Sequence, residues 1–193
     1  MIIRSAKPDD VERMHELFLS VSVSRDELGE KRIPKRGFFE YDLSLEEMLR
    51  RVNGSGYTLV MERGSRILAY LIANDFGFME RQNIKDSIFD VLPKPEPGVV
   101  YADQMFLDGG LPAFLAGRFV DVWDYLLRGE KVTGVITAIP QKPWTNVSST
   151  RFALHRGFKR QDIVSTEDIE FGIFTKPYLE KDNPFEFQNS ISI

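Results

Sequence analysis

Cysteine is absent from the 193-residue chain, and histidine occurs only as His15 and His155. The lack of cysteine excludes disulfides, thiol nucleophiles and cysteine-ligated zinc together. The two histidines are too few and too far apart in the sequence for a histidine-based metal cluster. We therefore expect no metal site.

Long apolar runs are absent too, since no stretch approaches the ~20 residues that span a bilayer. The first residues lack the basic and apolar regions of a signal peptide. A net charge of −4 argues against a nucleic-acid partner, which usually requires a basic stripe. With 42% hydrophobic and 28% charged residues, we expect a soluble, cytoplasmic domain with no membrane partner.

The periodicity of apolar residues predicts alternating strands and helices. In chain order these are a strand at 2–5, a helix at 11–21, a helix from 44, a hairpin of 57–62 and 67–72, a strand at 99–107, a helix at 112–128, a strand at 133–139, a helix at 146–156 and two strands at 159–164 and 169–175. Ser44 and Glu47 have the spacing of a capping box. In an insertion at 76–98, a helix would place four apolar residues on one face, namely Ile84, Ile88, Phe89 and Leu92.

No repeat or linker divides the chain, so we predict one domain at 1–176 and a C-terminal tail at 177–193. A frayed terminus is the simplest interpretation of the tail. Its alternating apolar residues, Phe185, Phe187, Ile191 and Ile193, also leave open an edge strand or a strand exchanged in a homodimer.

The segment 143–158 contains Asn146, Ser149, Gly157 and Phe158 after a predicted strand. Each residue has a structural explanation of its own, as a helix cap, a small residue, a helix end and a core aromatic. In combination, and with the order of elements, they resemble the GNAT superfamily of acetyl-coenzyme A-dependent N-acetyltransferases. The resemblance implies an α/β (α+β) fold in which helices flank both faces of a mixed, mostly antiparallel sheet whose central strands splay near Leu107.

The resemblance also implies acetyl transfer from acetyl-CoA to a primary amine on a small molecule or peptide. The family's phosphate-binding segment has Gln or Arg, two residues, Gly, one residue, then Gly or Ala, whereas this chain has Pro112 to Gly117 and matches only at Gly117. Main-chain N–H groups at a helix start attract phosphates. The coenzyme-binding residues implied are Met105, Phe106, Leu107, Ala113, Phe114, Leu115, Ala116, Gly117, Arg118, Asn146 and Ser149. The basic cluster at 30–36 could hold a phosphate or an acidic acceptor, or be a solvated loop.

Asp103 and Tyr101 are the predicted catalytic residues on the central strand. The resemblance implies a general base there, and Asp103 is the only carboxylate in that strand. Strand alternation would place Tyr101, Asp103 and Met105 on one face. The family's acid tyrosine would fall at Ala153, which leaves Tyr101 or His155 as replacements.

Three alternatives stay open. Asp103 could be a structural ion-pair partner instead of a base. The chain could be a catalytically silent GNAT-fold binding module, or it could transfer an acyl group other than acetyl.

Overall fold

The computed structural model describes residues 1–23, 42–84, 87–92, 95–166 and 169–178. The basic cluster at 30–36 and the apolar residues of the C-terminal tail lie outside this part of the chain. Within it, no helix has both the length and the apolar character needed to cross a membrane.

Five α-helices occur in the described ranges, and side chains cap the starts of three of them. They are α1 (Val11–Val21), α2 (Leu45–Val52), α3 (Phe76–Arg81), α4 (Ala113–Gly129) and α5 (Val147–His155), with 3-10 turns at Pro8–Asp10 and Ser87–Asp90. At α2, the amide of Glu47 donates to Ser44 Oγ at 3.2 Å and the Ser44 amide donates to the Glu47 carboxylate at 3.1 Å. This exchange confirms the predicted capping box.

Seven strands form one mixed sheet. They are β1 (Ile2–Ser5), β2 (Leu59–Arg63), β3 (Arg66–Asp75), β4 (Val99–Leu107), β5 (Gly134–Lys142), β6 (Lys159–Ser165) and β7 (Glu170–Pro177). Their order across the sheet is β1-β2-β3-β4-β5-β7-β6, with β4 and β5 parallel and the remaining pairs antiparallel. The predicted mixed, mostly antiparallel sheet is confirmed.

The pairing between β4 and β5 is short. It joins Val99–Tyr101 to Gly134–Ile136, after which β4 continues beside β3 and β5 continues beside β7. We call the gap between the two strands beyond these pairs the split. Adjacent parallel strands were predicted correctly, but the predicted position near Leu107 is wrong. The split opens directly after Tyr101, where a bulge in β4 increases the local twist.

Apolar residues fill both faces of the sheet. On one face α4 contributes Phe119, Trp123 and Leu127 to the largest cluster, and α5 contributes Ala153. The opposite face packs against α1 and α2, whose buried residues include Met14 and Met48. Helices therefore cover both faces, as predicted.

The insertion between β3 and β4 differs from its prediction. Its helix is α3, which begins where the Phe78 amide donates to the Asp75 carboxylate at 2.7 Å. The four apolar residues of the predicted helix follow later, around the 3-10 turn Ser87–Asp90, yet all of them pack in the cluster that contains Tyr101 and Ile136. The four residues therefore lie in one cluster, but the helix of the insertion lies earlier in the chain than predicted.

Candidate active site

A bulge in β4 determines which way the predicted catalytic strand faces. Ala102 pairs with Ala73 and Gln104 pairs with Ile72, so Asp103 is the extra residue between two consecutive pairs. Asp103 contacts Arg51 of α2, and its neighbour Gln104 accepts a hydrogen bond from Tyr70, which belongs to the cluster under α1 and α2. Two successive side chains thus point to the same face.

The predicted alternation is therefore wrong beyond the bulge. Tyr101 and Asp103 do share the face that packs against α2 and the insertion. Met105 and Leu107 pack on the opposite face with the α4 cluster, and Phe106 packs against Tyr70 at a ring separation of 5.6 Å. An extra residue shifts every later side chain by one position, because the period of a strand is two residues.

Asp103 forms a buried ion pair with Arg51. The exposed fraction of each side chain is 4%, and the guanidinium donates directly to the carboxylate. A buried charge without a partner is costly. Each residue of the pair therefore neutralises the buried charge of the other. This contact favours the structural alternative for Asp103.

Arg51 is a residue that the sequence analysis missed. It lies between Met48 and Val52 on the buried side of α2, where an apolar residue is expected. An arginine on the apolar stripe of a helix usually requires a buried carboxylate partner. That position was the available signal, and it would have pointed to Asp103, the carboxylate in β4, as the partner.

Tyr70 adds a second polar group below the bulge. Its hydroxyl donates to Gln104 Oε1 at 3.4 Å. Burial raises the pKa of Tyr70 well above its ordinary value, and the negative charge of Asp103 raises it further. Tyr70 is therefore a neutral hydrogen-bond donor at physiological pH.

Tyr101, the second predicted catalytic residue, is 3% exposed and lies beneath the insertion. Its ring meets Phe89 and Phe76 edge to face, with centroid separations of 5.1 and 6.1 Å. This packing holds the ring firmly in the apolar cluster. A role in proton transfer would need its hydroxyl to reach the split from that position.

The start of α4 is the predicted phosphate-binding segment. Pro112 is the N-cap residue, so the helix begins at Ala113, one position later than predicted. The Pro112 carbonyl accepts hydrogen bonds from the amides of Leu115 and Ala116 at 2.9 and 3.2 Å. Ala113 and Phe114 come first in the helix, where amides have no intrahelical acceptor. Since Phe114 is 73% exposed, this turn faces solvent. An anion would meet these two amides and the positive end of a 17-residue helix.

Gly117 and Arg118 follow on the same helix. A Cβ added at Gly117 would meet no heavy atom of the described chain within 4 Å, outside its immediate surroundings. Packing therefore does not require glycine here, and the open space suits close approach of a ligand. Arg118 is exposed and can supply a positive charge beside it. These residues fit a pyrophosphate, although Pro112 supplies no N–H to it.

The start of α5 lies on the other side of the split and is capped by the side chain of its N-cap residue. Asn146 is buried, and its carbonyl oxygen accepts from the Ser149 amide at 3.2 Å. Ala153, the position at which the resemblance implies an acid tyrosine, is 5% exposed and lies in the core. His155 is exposed at the far end of α5. The described chain thus offers no tyrosine at that position.

Comparison of the sequence with protein-family models found no match, and comparison with curated proteins found none either. Solved structures do match. The ribosomal-protein-S18-alanine N-acetyltransferase of Escherichia coli is 10% identical, with a TM-score of 0.61 over 94% of this chain and 97% of that protein.

Two further structures give the same result. A polyamine N-acetyltransferase of Drosophila melanogaster is 15% identical, with a TM-score of 0.59 over 92% of this chain and 99% of that one. A GNAT-family acetyltransferase of Listeria monocytogenes is 12% identical, with a TM-score of 0.55 over 92% and 94%. Together with the strand order and the split, these likenesses show that the chain has the GNAT fold of the N-acetyltransferases.

Proposed function

We propose that this protein transfers an acetyl group from acetyl-CoA to a primary amine on a small-molecule or peptide acceptor. The observation that carries the proposal is the split beside the start of α4. It combines an opened pair of parallel strands with a solvent-facing helix start that suits an anion. Two of the similar proteins named above have names that specify an amine acceptor, a polyamine in one case and a protein alanine in the other.

The coenzyme would be held by main-chain groups. Ala113 and Phe114 would donate to its pyrophosphate, with Gly117 giving room and Arg118 adding charge. Acetyl-CoA would supply the thioester as the activated acyl donor. On the β4 side of the split, the main chain of Met105 to Leu107 would hold the thioester carbonyl, because beyond Tyr101 no strand of the described chain pairs with that edge.

The catalytic roles of Asp103 and Tyr101 remain predictions, and the geometry sets what each role requires. An attacking amine must lose a proton, and the leaving thiolate must gain one. Asp103 could accept that proton only if its carboxylate also reached the amine or a water while Arg51 held it. Without such a base, orienting an already neutral amine against the thioester would be the main contribution of the protein.

Calorimetric titration with acetyl-CoA is the first test, followed by measurement of free thiol released in the presence of a panel of amines. We expect saturable binding and amine-dependent thiol release. Desulfo-coenzyme A is a matched probe, since it should bind without supporting transfer. Bound ligand should also raise the melting temperature by mass action.

A catalytically silent binding module is the second candidate, and two observations favour it. Pro112 removes one N–H from the predicted phosphate site, and Ala153 stands where an acid tyrosine would be. Acetyl-CoA binding without thiol release for any amine would support this candidate. If millimolar acetyl-CoA gives no heat of binding and no thermal shift, the proposed acetyl transfer is excluded and the silent module is favoured.

A further inference from the structure

A small cleft lies between α2 and the turn that follows α3. Its volume is about 140 Å³, and it is lined by Glu47, Arg50, Arg51, Asn83 and Ile84. Glu47, Arg50 and Arg51 share one side of α2, because residues three and four apart are neighbours on a helix. The cleft is therefore lined by two arginines, and its volume suits a small polar group and not a folded surface.

The charges in the cleft are unequally matched. Arg51 pairs with Asp103, and Glu47 is held by the capping box, where the Ser44 amide keeps the pKa of Glu47 below its usual range. Arg50 is half-buried, and among the residues that the structure describes no carboxylate forms an ion pair with it. A partly desolvated guanidinium favours an anionic partner.

Hydrogen bonds and an ion pair hold the two walls of the cleft in place. Asn74 of β3, itself 2% exposed, donates to the main-chain carbonyl of Arg51 at 3.1 Å, while the Arg51 side chain holds β4 through Asp103. On the other wall, Asn83 adopts a φ of 51° and the Ile84 amide donates to the Met79 carbonyl at 3.0 Å. Preorganised walls reduce the entropy that binding costs.

The cleft is also connected to the split. Tyr101 is the last β4 residue that pairs with β5. Asp103 comes two positions later, where the two strands no longer pair. Arg51 therefore has one end in the cleft and the other at the split. A ligand group in the cleft would be separated from β4 by the Arg51–Asp103 pair.

We propose that this cleft binds the carboxylate of an acceptor that carries both an amine and a carboxylate, separated by several carbons. The proposal rests on the acetyl transfer proposed above. Arg50 is its main donor, Asn83 adds a neutral polar contact, and Arg51 remains committed to Asp103. Because the Arg51–Asp103 pair lies between the cleft and the split, an ω-amino acid fits this arrangement better than an amine without an acidic group.

The test compares ε-aminocaproate with its amide, which has the same length and amine but no carboxylate. In the presence of desulfo-coenzyme A, ε-aminocaproate should raise the melting temperature, and the amide should raise it less. Arg50→Gln should remove that difference. Arg63→Gln, which changes an exposed arginine in the β2–β3 hairpin, should keep it.

The same pair of amines tests selectivity during transfer. Wild-type kcat/KM should favour the acid over the amide by about tenfold or more, the usual worth of a charge-assisted contact. Arg50→Gln should lose this preference through KM, and Arg63→Gln should keep it. Equal effects of acid and amide on the wild type, or a preference that survives Arg50→Gln, would overturn the proposal. Binding of ε-aminocaproate without any transfer would retain the carboxylate site and remove the proposed acetyl transfer.

Discussion

The two sides of the split are built differently. On the β5 side, the start of α5 is closed by the Asn146 side chain, which bonds the Ser149 amide. On the β4 side, α4 starts at Pro112, whose side chain has no group that could cap an amide. A side-chain cap satisfies a first-turn amide, so a capped helix start has less to offer a ligand. First-turn amides that face solvent without an acceptor can bind an anionic ligand. We therefore expect the start of α4 to bind the ligand and the start of α5 to have a structural role.

Asp103 gives the largest expected effect and tests whether the β4 side is structural as well. Asp103→Asn keeps the shape and removes the charge that matches Arg51. We expect the free energy of unfolding to fall by about 3 kcal/mol, since one charge of a buried pair is left without its partner. Urea denaturation measures this change.

The control is a double variant, Arg51→Met with Asp103→Leu, which removes both charges together. Apolar residues of similar volume should restore most of the lost stability. Turnover per folded molecule then decides the role of Asp103. A fall of about two to four orders of magnitude in the stable double variant would contradict a purely structural role and support Asp103 as the general base.

Gly117 tests whether the α4 start receives the coenzyme. Gly117→Glu places a carboxylate beside the proposed pyrophosphate site, and like charges at an interface cost several kcal/mol. We expect acetyl-CoA to bind about a hundredfold more weakly or worse, measured by calorimetry.

Gly117→Ala is the matched control. The open space around Gly117 accepts a methyl group, and alanine in a helix interior is more stable than glycine by up to about 1 kcal/mol. This variant should melt higher and still bind acetyl-CoA. Equal affinity of the Glu and Ala variants would place the coenzyme elsewhere.

Asn146 tests the β5 side. Asn146→Ala removes the cap of α5 and should lower the free energy of unfolding by about 1 kcal/mol, whereas Asn146→Asp, which can also cap, should lose less. Thermal unfolding measures both. If the role of Asn146 is only structural, both variants bind acetyl-CoA with wild-type affinity, and a selective loss of affinity would instead assign it to the coenzyme.

A carboxylate cluster remote from the split provides the smallest effect and a reference. Arg4 bonds Asp10 at 2.6 Å and Glu62 at 2.7 Å, and its hydrogen bond lowers the pKa of Asp10 below the ordinary value. A depressed pKa stabilises the fold above the carboxyl's ordinary pKa, and that stabilisation disappears as the pH falls through the lower, folded-state value.

Wild type should therefore lose stability in acid, below about pH 4. Asp10→Asn should be less stable at neutral pH by about 1 kcal/mol, a modest value because Arg4 is partly exposed, and should lose less on acidification. Melting temperatures recorded against pH check this. Acetyl-CoA affinity at neutral pH should not change, because the cluster touches neither side of the split.

Local signals predicted most of the fold. The capping box of Ser44 and Glu47, the Asn146 cap and the turn at Gly157, which has a φ of 84°, each depend on residues a few positions apart. Such preferences act within one turn of chain, so the sequence displays them directly. Strand periodicity likewise predicted β4 and β5 correctly.

Long-range contacts could not be predicted in the same way. The bulge at Asp103 depends on how β3 and β4 align, and the partnership of Asp103 with Arg51 joins residues 52 positions apart. In the insertion, four apolar residues were predicted to share one helix face. They pack in one cluster with Tyr101, but the helix lies earlier, because periodicity indicates which side chains group together more reliably than it indicates element boundaries. The candidate site depends on these contacts, and for that reason it was the less predictable part.

The contact between Arg51 and Asp103 has an evolutionary consequence. The two residues are encoded in separate parts of the gene but form one buried ion pair. A mutation that replaces only one of them therefore gives a protein with an unpaired buried charge. Selection should therefore keep or replace the two residues together. Relatives of this chain that lack an arginine at position 51 are expected to have an uncharged residue at position 103, and their acceptor cleft should differ as well, because the same arginine forms its inner wall.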